Sequence, residues 1–223
     1  MKAGDGHSLP EALKKLDRML LKAYGTKSND RGEDAVTSLV HTILSQNTTD
    51  RTSDRAFAAL MERFPDWEDV ISADVSEVAD SIRQGGLADQ KAASIQSVLG
   101  RIKSDRGEIS LEFLRRLPEA EVMEYLTSLK GVGPKTAACT MLFALGKKAF
   151  PADTHVHRVA NRLGIVTTKS AEETQRVMTE AADMDICYSL HLNMIQHGRQ
   201  RCHARAPVCS GCPLFSICKS AAV

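Results

Sequence analysis

Four cysteines crowd the C-terminal end of the sequence. Cys202, Cys209, Cys212 and Cys218 are spaced C-x6-C-x2-C-x5-C. Seventeen residues holding four thiols cannot bury much surface of their own, so a cross-link must organise them. Two disulfides are disfavoured, because the N-terminal run MKAGDGHSLPEALKK has no apolar signal core that would send the chain to an oxidising compartment. Zinc sites commonly pair two short C-x2-4-C knuckles, and here only Cys209 and Cys212 are that close. An iron–sulfur cubane takes one thiolate per corner and tolerates uneven spacing. Spacing alone leaves zinc and iron–sulfur open. Between the first two cysteines lies HARAPV, whose His203 and Arg205 are expected at the surface, where a tied loop offering a cation suits a phosphate. Cys139 and Cys187 fall inside apolar helical patterns and read as buried small hydrophobes.

A second constellation is LKGVGPKTAA, residues 129–138. Gly131 and Gly133 permit a tight turn between two helices, and Pro134 suits the first position of the second. Such a turn aims backbone N–H groups at a concave surface and a helix N-terminus, which binds phosphate without reading sequence. Lys135 sits in the first turn of that helix. The positive end of the helix dipole disfavours its ammonium form, and partial burial would act the same way. A readily deprotonated lysine is a nucleophile for Schiff-base chemistry; otherwise Lys135 is a cation for the same phosphate. Eighteen residues further on, PADTHVHRVANRLG puts Asp153 at a helix N-cap and Gly164 at the other end. A capping carboxylate is held rigidly, so capping and chemistry are compatible roles. His155 and His157 lie on the first turn of that helix.

These residues must be positioned by helices. Leu9, Leu13, Leu16 and Leu20 recur at three- and four-residue steps behind Ser8, a candidate cap, and stop at Gly25. Further helical runs cover 33–45, 50–64, 74–84, 88–104, 110–116, 119–128, 134–146, 154–163, 171–182 and 186–199. Pro65, Gly85–Gly86, Gly107, Pro118, Gly131, Gly146, Pro151 and Gly164 punctuate them. No alternating strand pattern and no repeat is evident, so the expected class is all-α. The chain has 223 residues, is 43% hydrophobic and 26% charged, and carries a formal net charge of +1. This is the composition of a soluble globular protein, with no apolar run near the ~20 residues of a membrane span. The charge is unevenly spread. Lys130 to Lys169 holds seven basic residues and one acid, Asp153, and no acid follows Asp185. A phosphate-binding face has this footprint.

Taken together, the motifs resemble the endonuclease III family of DNA glycosylases/AP lyases, the iron–sulfur branch of the helix-hairpin-helix superfamily. The matching pieces are ILSQNTTD (43–50), GLADQKA (86–92), LKGVGPKTA (129–137), PADTHVHRVANRL (151–163) and HGRQRC (197–202) running into the cysteine tail. The resemblance implies two helical lobes with a DNA-binding cleft between them. Residues 28–147 would form a six-helix bundle containing the helix-hairpin-helix. Residues 1–27 with 148–223 would form the iron–sulfur lobe, whose four cysteines hold a [4Fe–4S] cluster. Lys135 matches the family's nucleophile and Asp153 its catalytic aspartate. The DNA contacts would include Gly131, Gly133, His155 and Arg205. Leu87, with Gln46 or Asn47, would fill the gap left by a flipped nucleotide. Lys130 stands where a proline is common, and Thr127 where some members carry a glutamate; Asp50 retains the other carboxylate of that network.

The activity so implied is removal of oxidised pyrimidines, then strand cleavage 3′ to the abasic site by β-elimination. The partner is double-stranded DNA with a damaged base or abasic site, met by a monomer without a membrane. The expected location is the cytoplasm: nucleoid-associated in a bacterium, nuclear in a eukaryote. Two alternatives remain at this point. One is the same lyase chemistry on uracil, mismatched or methylated pyrimidines; the other is a DNA-binding protein with little catalysis.

Overall fold

The computed structural model describes residues 8–27, 32 and 34–221. Every regular element among them is helical: α1 (Leu9–Tyr24), α2 (Ala35–Leu44), α3 (Asp50–Arg63), α4 (Trp67–Ser72), α5 (Val75–Ser81), α6 (Ala88–Arg106), α7 (Glu119–Ser128), α8 (Pro134–Phe143), α9 (Thr154–Leu163), α10 (Ala171–Ala181) and α11 (Met184–Gln200). Three 3-10 turns accompany them, at Arg83–Gly85, Glu112–Arg116 and Phe215–Ile217. The all-α expectation is met. The run expected as a helix over 110–116 is a 3-10 turn, Glu112–Arg116, with Leu114 as its buried residue. Periodicity missed α4, which spans six residues and buries Val70 alone, too little for a stripe to show.

The chain divides into two compact units, Gly32–Gly146 and Met1–Arg31 with Lys147–Val223. In the first, α2 is the central rod, packed on α8, α6 and α3. Its Val36, Leu39, Val40, Ile43 and Leu44 are all buried. Asp34 starts it by accepting from the N–H groups of Val36 and Thr37 at 2.9 and 3.1 Å. In α8 every residue from Thr136 to Leu142 is buried, so its first turn stands on a tightly packed base.

In the second unit α1 packs on α11, α11 on α9, and α9 on α10. As its spacing predicts, α1 buries Leu9, Leu13, Leu16 and Leu20. Glu11 folds back to accept the Ser8 N–H at 2.9 Å, and Gly25 ends the helix at φ 79°. Helices α1 and α11 run parallel: Lys14 Nζ pairs with Asp183 at 2.6 Å, and Asn193 Nδ2 donates to Gly25 O at 3.1 Å.

Asp17 is an exception in that interface. It is 5% exposed, and its Oδ1 has no hydrogen-bond partner. Burial holds its carboxyl above the ordinary 3.8, and the like charge of Asp185 adds to the effect. The folded pKa therefore exceeds the unfolded one. Ionisation is harder in the folded state, so stability is fullest below 3.8 and declines as pH rises through the folded pKa. Asp17→Asn removes the buried charge. Thermal melts at pH 8 should show the variant more stable by about 1 kcal/mol, and the gap should close below pH 3.8.

Candidate functional site

The hairpin joins α7 to α8 within five residues. The chain leaves α7 at Leu129, and Val132 N–H donates back to Leu129 O at 3.0 Å. Gly131 is left-handed at φ 88°, and a Cβ there would overlap Ser94 Oγ of α6, so geometry and space both require glycine. Ser94 Oγ also donates to Lys130 O at 3.2 Å, fixing the turn to α6. Gly133 differs: its φ is −85°, it is exposed, and no atom lies within 4 Å of an added Cβ. Pro134 takes the first helical position as expected. Lys135 follows and is exposed, so burial adds nothing to the helix dipole there; the second position of α8 faces away from the packed side. Its neighbour Thr136 is buried, and Gln46 Nε2 reaches Thr136 Oγ1 at 3.1 Å and Gly131 O at 3.5 Å. One glutamine thus ties the loop after α2 to the hairpin's turn and to its second helix.

That loop turns sharply. Asn47 is exposed and left-handed at φ 54°. Leu87, the N-cap of α6, is also left-handed at φ 53°, and 51% of it is exposed. A left-handed leucine is uncommon and strained, which marks a position held by its surroundings.

In the other unit Asp153 caps α9. Its Oδ1 accepts from the N–H groups of His155 and Val156, each at 2.8 Å, fixing the half-buried carboxylate and leaving Oδ2 outside the cap. His155 Nδ1 lies 2.9 Å from Arg158 Nη2, and the ring packs where a Cβ on Gly198 would stand 2.8 Å from its own Cβ. His157 turns inward to Thr174 Oγ1 at 2.7 Å and is a packing residue.

Helix α9 also holds the cysteine loop. Arg158 donates to Cys202 O at 2.9 Å and Gly198 O at 3.0 Å. Arg162 donates to His203 O at 2.6 Å and Ala204 O at 2.9 Å, with Nη1 3.4 Å from Cys202 Sγ. Arg205 projects from this braced loop, exposed. Cys202, Cys209, Cys212 and Cys218, all half-buried, ring one cavity walled by Val159, Leu163 and Leu214. His197 lines it too; burial pushes its pKa down to about 4, so the ring is neutral at pH 7. Its Nδ1 meets Tyr24 Oη at 2.8 Å, and its Nε2 is 3.9 Å from Cys212 Sγ. Four soft thiolate donors with two arginines at the rim suit an anionic thiolate-ligated group. Among the described residues no group of three or more His, Cys, Asp or Glu is placed to hold a metal ion, and the four thiols line one cavity. Cys139 and Cys187 are buried elsewhere, as expected, and burial raises Cys187 to about 11.

Sequence reasoning missed three residues: Ser94, Thr136 and Lys91. Ser94 carries no motif, and Thr136 lies inside LKGVGPKTA without a chemical signature of its own. Lys91 carried a signal, since it occupies a core-facing step of α6 between Ala88 and Ile95.

The family model for HhH-GPD superfamily base excision DNA repair proteins matches residues 40–183. Endonuclease III of Thermotoga maritima is 30% identical over 207 residues, 93% of this chain and 92% of that protein. The DNA glycosylase/AP lyase ROS1 of Arabidopsis thaliana is 36% identical over 172 residues, 69% of this chain. The plant relatives are longer: the chain spans 12% of ROS1, and 61% of another Arabidopsis thaliana protein, described as a DNA glycosylase and 38% identical over 188 residues. Among solved structures, a non-covalent endonuclease III–DNA complex superposes with a TM-score of 0.78 at 27% identity, covering 96% of each chain. As the motifs imply, the chain belongs to the HhH-GPD superfamily of base excision DNA repair proteins.

Proposed function

We propose that this chain is a bifunctional DNA N-glycosylase/AP lyase that removes oxidised pyrimidines and cuts the strand 3′ to the resulting abasic site. The observation that carries the proposal is Lys135: an exposed amine on the first turn of α8, directly behind the Gly131–Gly133 turn and next to the pinned Thr136. An amine nucleophile accounts for both reactions. Neutral Lys135 Nζ attacks C1′, the glycosidic bond breaks, and its electron pair leaves with the base, which takes up a proton. Ring opening gives an iminium between Nζ and C1′. The iminium acidifies the C2′ hydrogens; loss of one expels the 3′ phosphate, and water releases Lys135. Asp153, rigid through its cap, accepts the proton from Nζ or stabilises positive charge on the sugar.

The remaining residues serve the duplex. N–H groups around Gly133 and the start of α8 take a phosphate of the damaged strand, and His155 and Arg205 are assigned to further phosphates. Flipping a base leaves a gap. Asn47 and Leu87 suit that gap, being exposed and left-handed, while the amide of Gln46 is engaged by Thr136 and Gly131. Of the two candidates after α2, Asn47 is therefore assigned as the filler and Gln46 as the brace. The four tail cysteines would ligate a [4Fe–4S] cluster, which supplies a cross-link that shapes the Arg205 loop. A monomer bound to damaged duplex is the proposed working form.

Two observations favour a second reading. ROS1 is itself named a DNA glycosylase/AP lyase, and the segment AFPADT, Ala149–Thr154, resembles that of the iron–sulfur demethylating glycosylases. It keeps the lyase step and changes the base to uracil, mismatched or methylated pyrimidine.

A panel of duplexes tests both. Thymine glycol and 5-hydroxycytosine should be excised faster than uracil, a mismatched thymine or 5-methylcytosine; the reverse order selects the second reading. Lys135→Ala should lose strand cleavage by about 10³-fold or more, and Asp153→Asn by about 10²–10⁴-fold. The purified protein should be brown with a broad visible band; a colourless, zinc-loaded preparation would reject the cluster. The two glycines should separate: Gly131→Ala should lower the unfolding free energy, whereas Gly133→Ala should leave it within about 0.5 kcal/mol of wild type and weaken duplex binding.

A further inference from the structure

Lys91 has no part in the chemistry above, yet it is one of the most deeply buried charges among the described residues. It is 4% exposed on the core face of α6. Its Nζ donates to two carbonyls, Leu44 O at 2.7 Å and Gly85 O at 2.9 Å. Among the described residues no carboxylate is bonded to it, and burial pushes its pKa down.

The two carbonyls come from different places. Leu44 ends α2, three residues before Asn47. Gly85 ends the 3-10 turn, two residues before Leu87. Lys91 also holds Leu87 directly, because its backbone N–H donates to Leu87 O at 2.9 Å. Gly85 has little freedom of its own: a Cβ there would lie 3.1 Å from Ala56 Cβ of α3. One side chain and its own amide therefore fasten the end of α2, the 3-10 turn and the start of α6 at a single point. The two left-handed, exposed tips, Asn47 and Leu87, spring from the two fastened strands of chain. A methionine could fill the same volume without desolvating a charge. An ammonium there does what an apolar side chain cannot: it binds two carbonyls at fixed directions.

We propose that Lys91 is a positioning residue that couples the Asn47 loop to the Leu87 loop, so that the two tips enter a duplex as one preformed wedge. The inference rests on the assignment of Asn47 and Leu87 as gap fillers and adds the device that sets their separation. A wedge of fixed spacing reaches the flipped state without ordering two loops separately. Lys91 should then govern reactions that require flipping from a duplex, and should not govern the amine chemistry of Lys135.

Two substrates separate those steps. A lesion in duplex DNA requires flipping; an abasic site in a single-stranded oligonucleotide does not. Lys91→Met, assayed well below its melting temperature, should lose about 10-fold or more in excision from the duplex, with weaker 2-aminopurine fluorescence from a reporter beside the lesion. Its cleavage of the single-stranded abasic site should stay within about twofold of wild type. Equal losses on both substrates, or no loss on either, would overturn the proposal. If Lys91→Met does not fold, Lys91→Gln, which keeps one donor, should give the same split with a smaller loss. Leu87→Ala guards the underlying assignment. If it leaves duplex excision unchanged, the wedge reading fails whatever Lys91 does. If it slows excision while Lys91→Met does not, only the coupling fails. In an Asn47→Ala/Leu87→Ala background, Lys91→Met should add little, since the coupled parts are gone.

Discussion

An α-helix leaves its first N–H groups and last carbonyls without partners, and buried ones must be satisfied from outside the helix. That constraint governs much of this protein, because the residues assigned to the sugar, the flipped-base gap and the first cluster thiol stand at or just beyond a helix end. Asn47 follows α2, Leu87 opens α6, Lys135 is in the first turn of α8, Asp153 caps α9, and Cys202 follows α11. Charged side chains do most of the satisfying. Asp153 takes two N–H groups of α9; Lys91 takes carbonyls at the end of α2 and of the 3-10 turn; Arg158 and Arg162 take four carbonyls at and beyond the end of α11, of Gly198, Cys202, His203 and Ala204. Helix ends are where a backbone can present N–H groups to a phosphate or a side chain to a sugar, and these bonds make the ends rigid enough for either.

Within the unit that contains α9, one helix does two jobs. Its N-terminus holds Asp153, and its Arg158 and Arg162 hold the loop that begins at Cys202. Disturbing the cysteine loop therefore disturbs the helix that fixes the carboxylate. In the other unit α8 plays the equivalent part, with a fully packed body and an exposed first turn. The packing of Thr136 to Leu142 stabilises the fold and also fixes the base from which Lys135 projects.

Most of this was legible in sequence because its signals are local. The cap at Asp153, the left-handed stop at Gly164 and the proline at the start of α8 each follow from short-range rules, and the structure has all three. Tertiary facts were not legible. Both glycines of the hairpin look alike in sequence, yet only Gly131 meets a neighbour, because Ser94 arrives from α6. Gln46 and Asn47 look equivalent in sequence, and only the fold separates them, by engaging the amide of Gln46 with Thr136. The exposure of Lys135 was not legible either, since helix position sets the dipole but not what covers a side chain. Lys91 occupies a core-facing step of α6, a signal the sequence reading passed over, and its meaning needed the two carbonyls that only folding supplies.

The central claim is that one lysine forms a covalent bond to the sugar. Reduction of a reaction on abasic duplex with borohydride freezes that bond, and proteolysis with mass spectrometry of the adduct locates it. The nucleotide should be found on the peptide carrying Lys135, with no adduct in Lys135→Ala. An adduct on another lysine, or an undiminished one in the variant, would contradict the account.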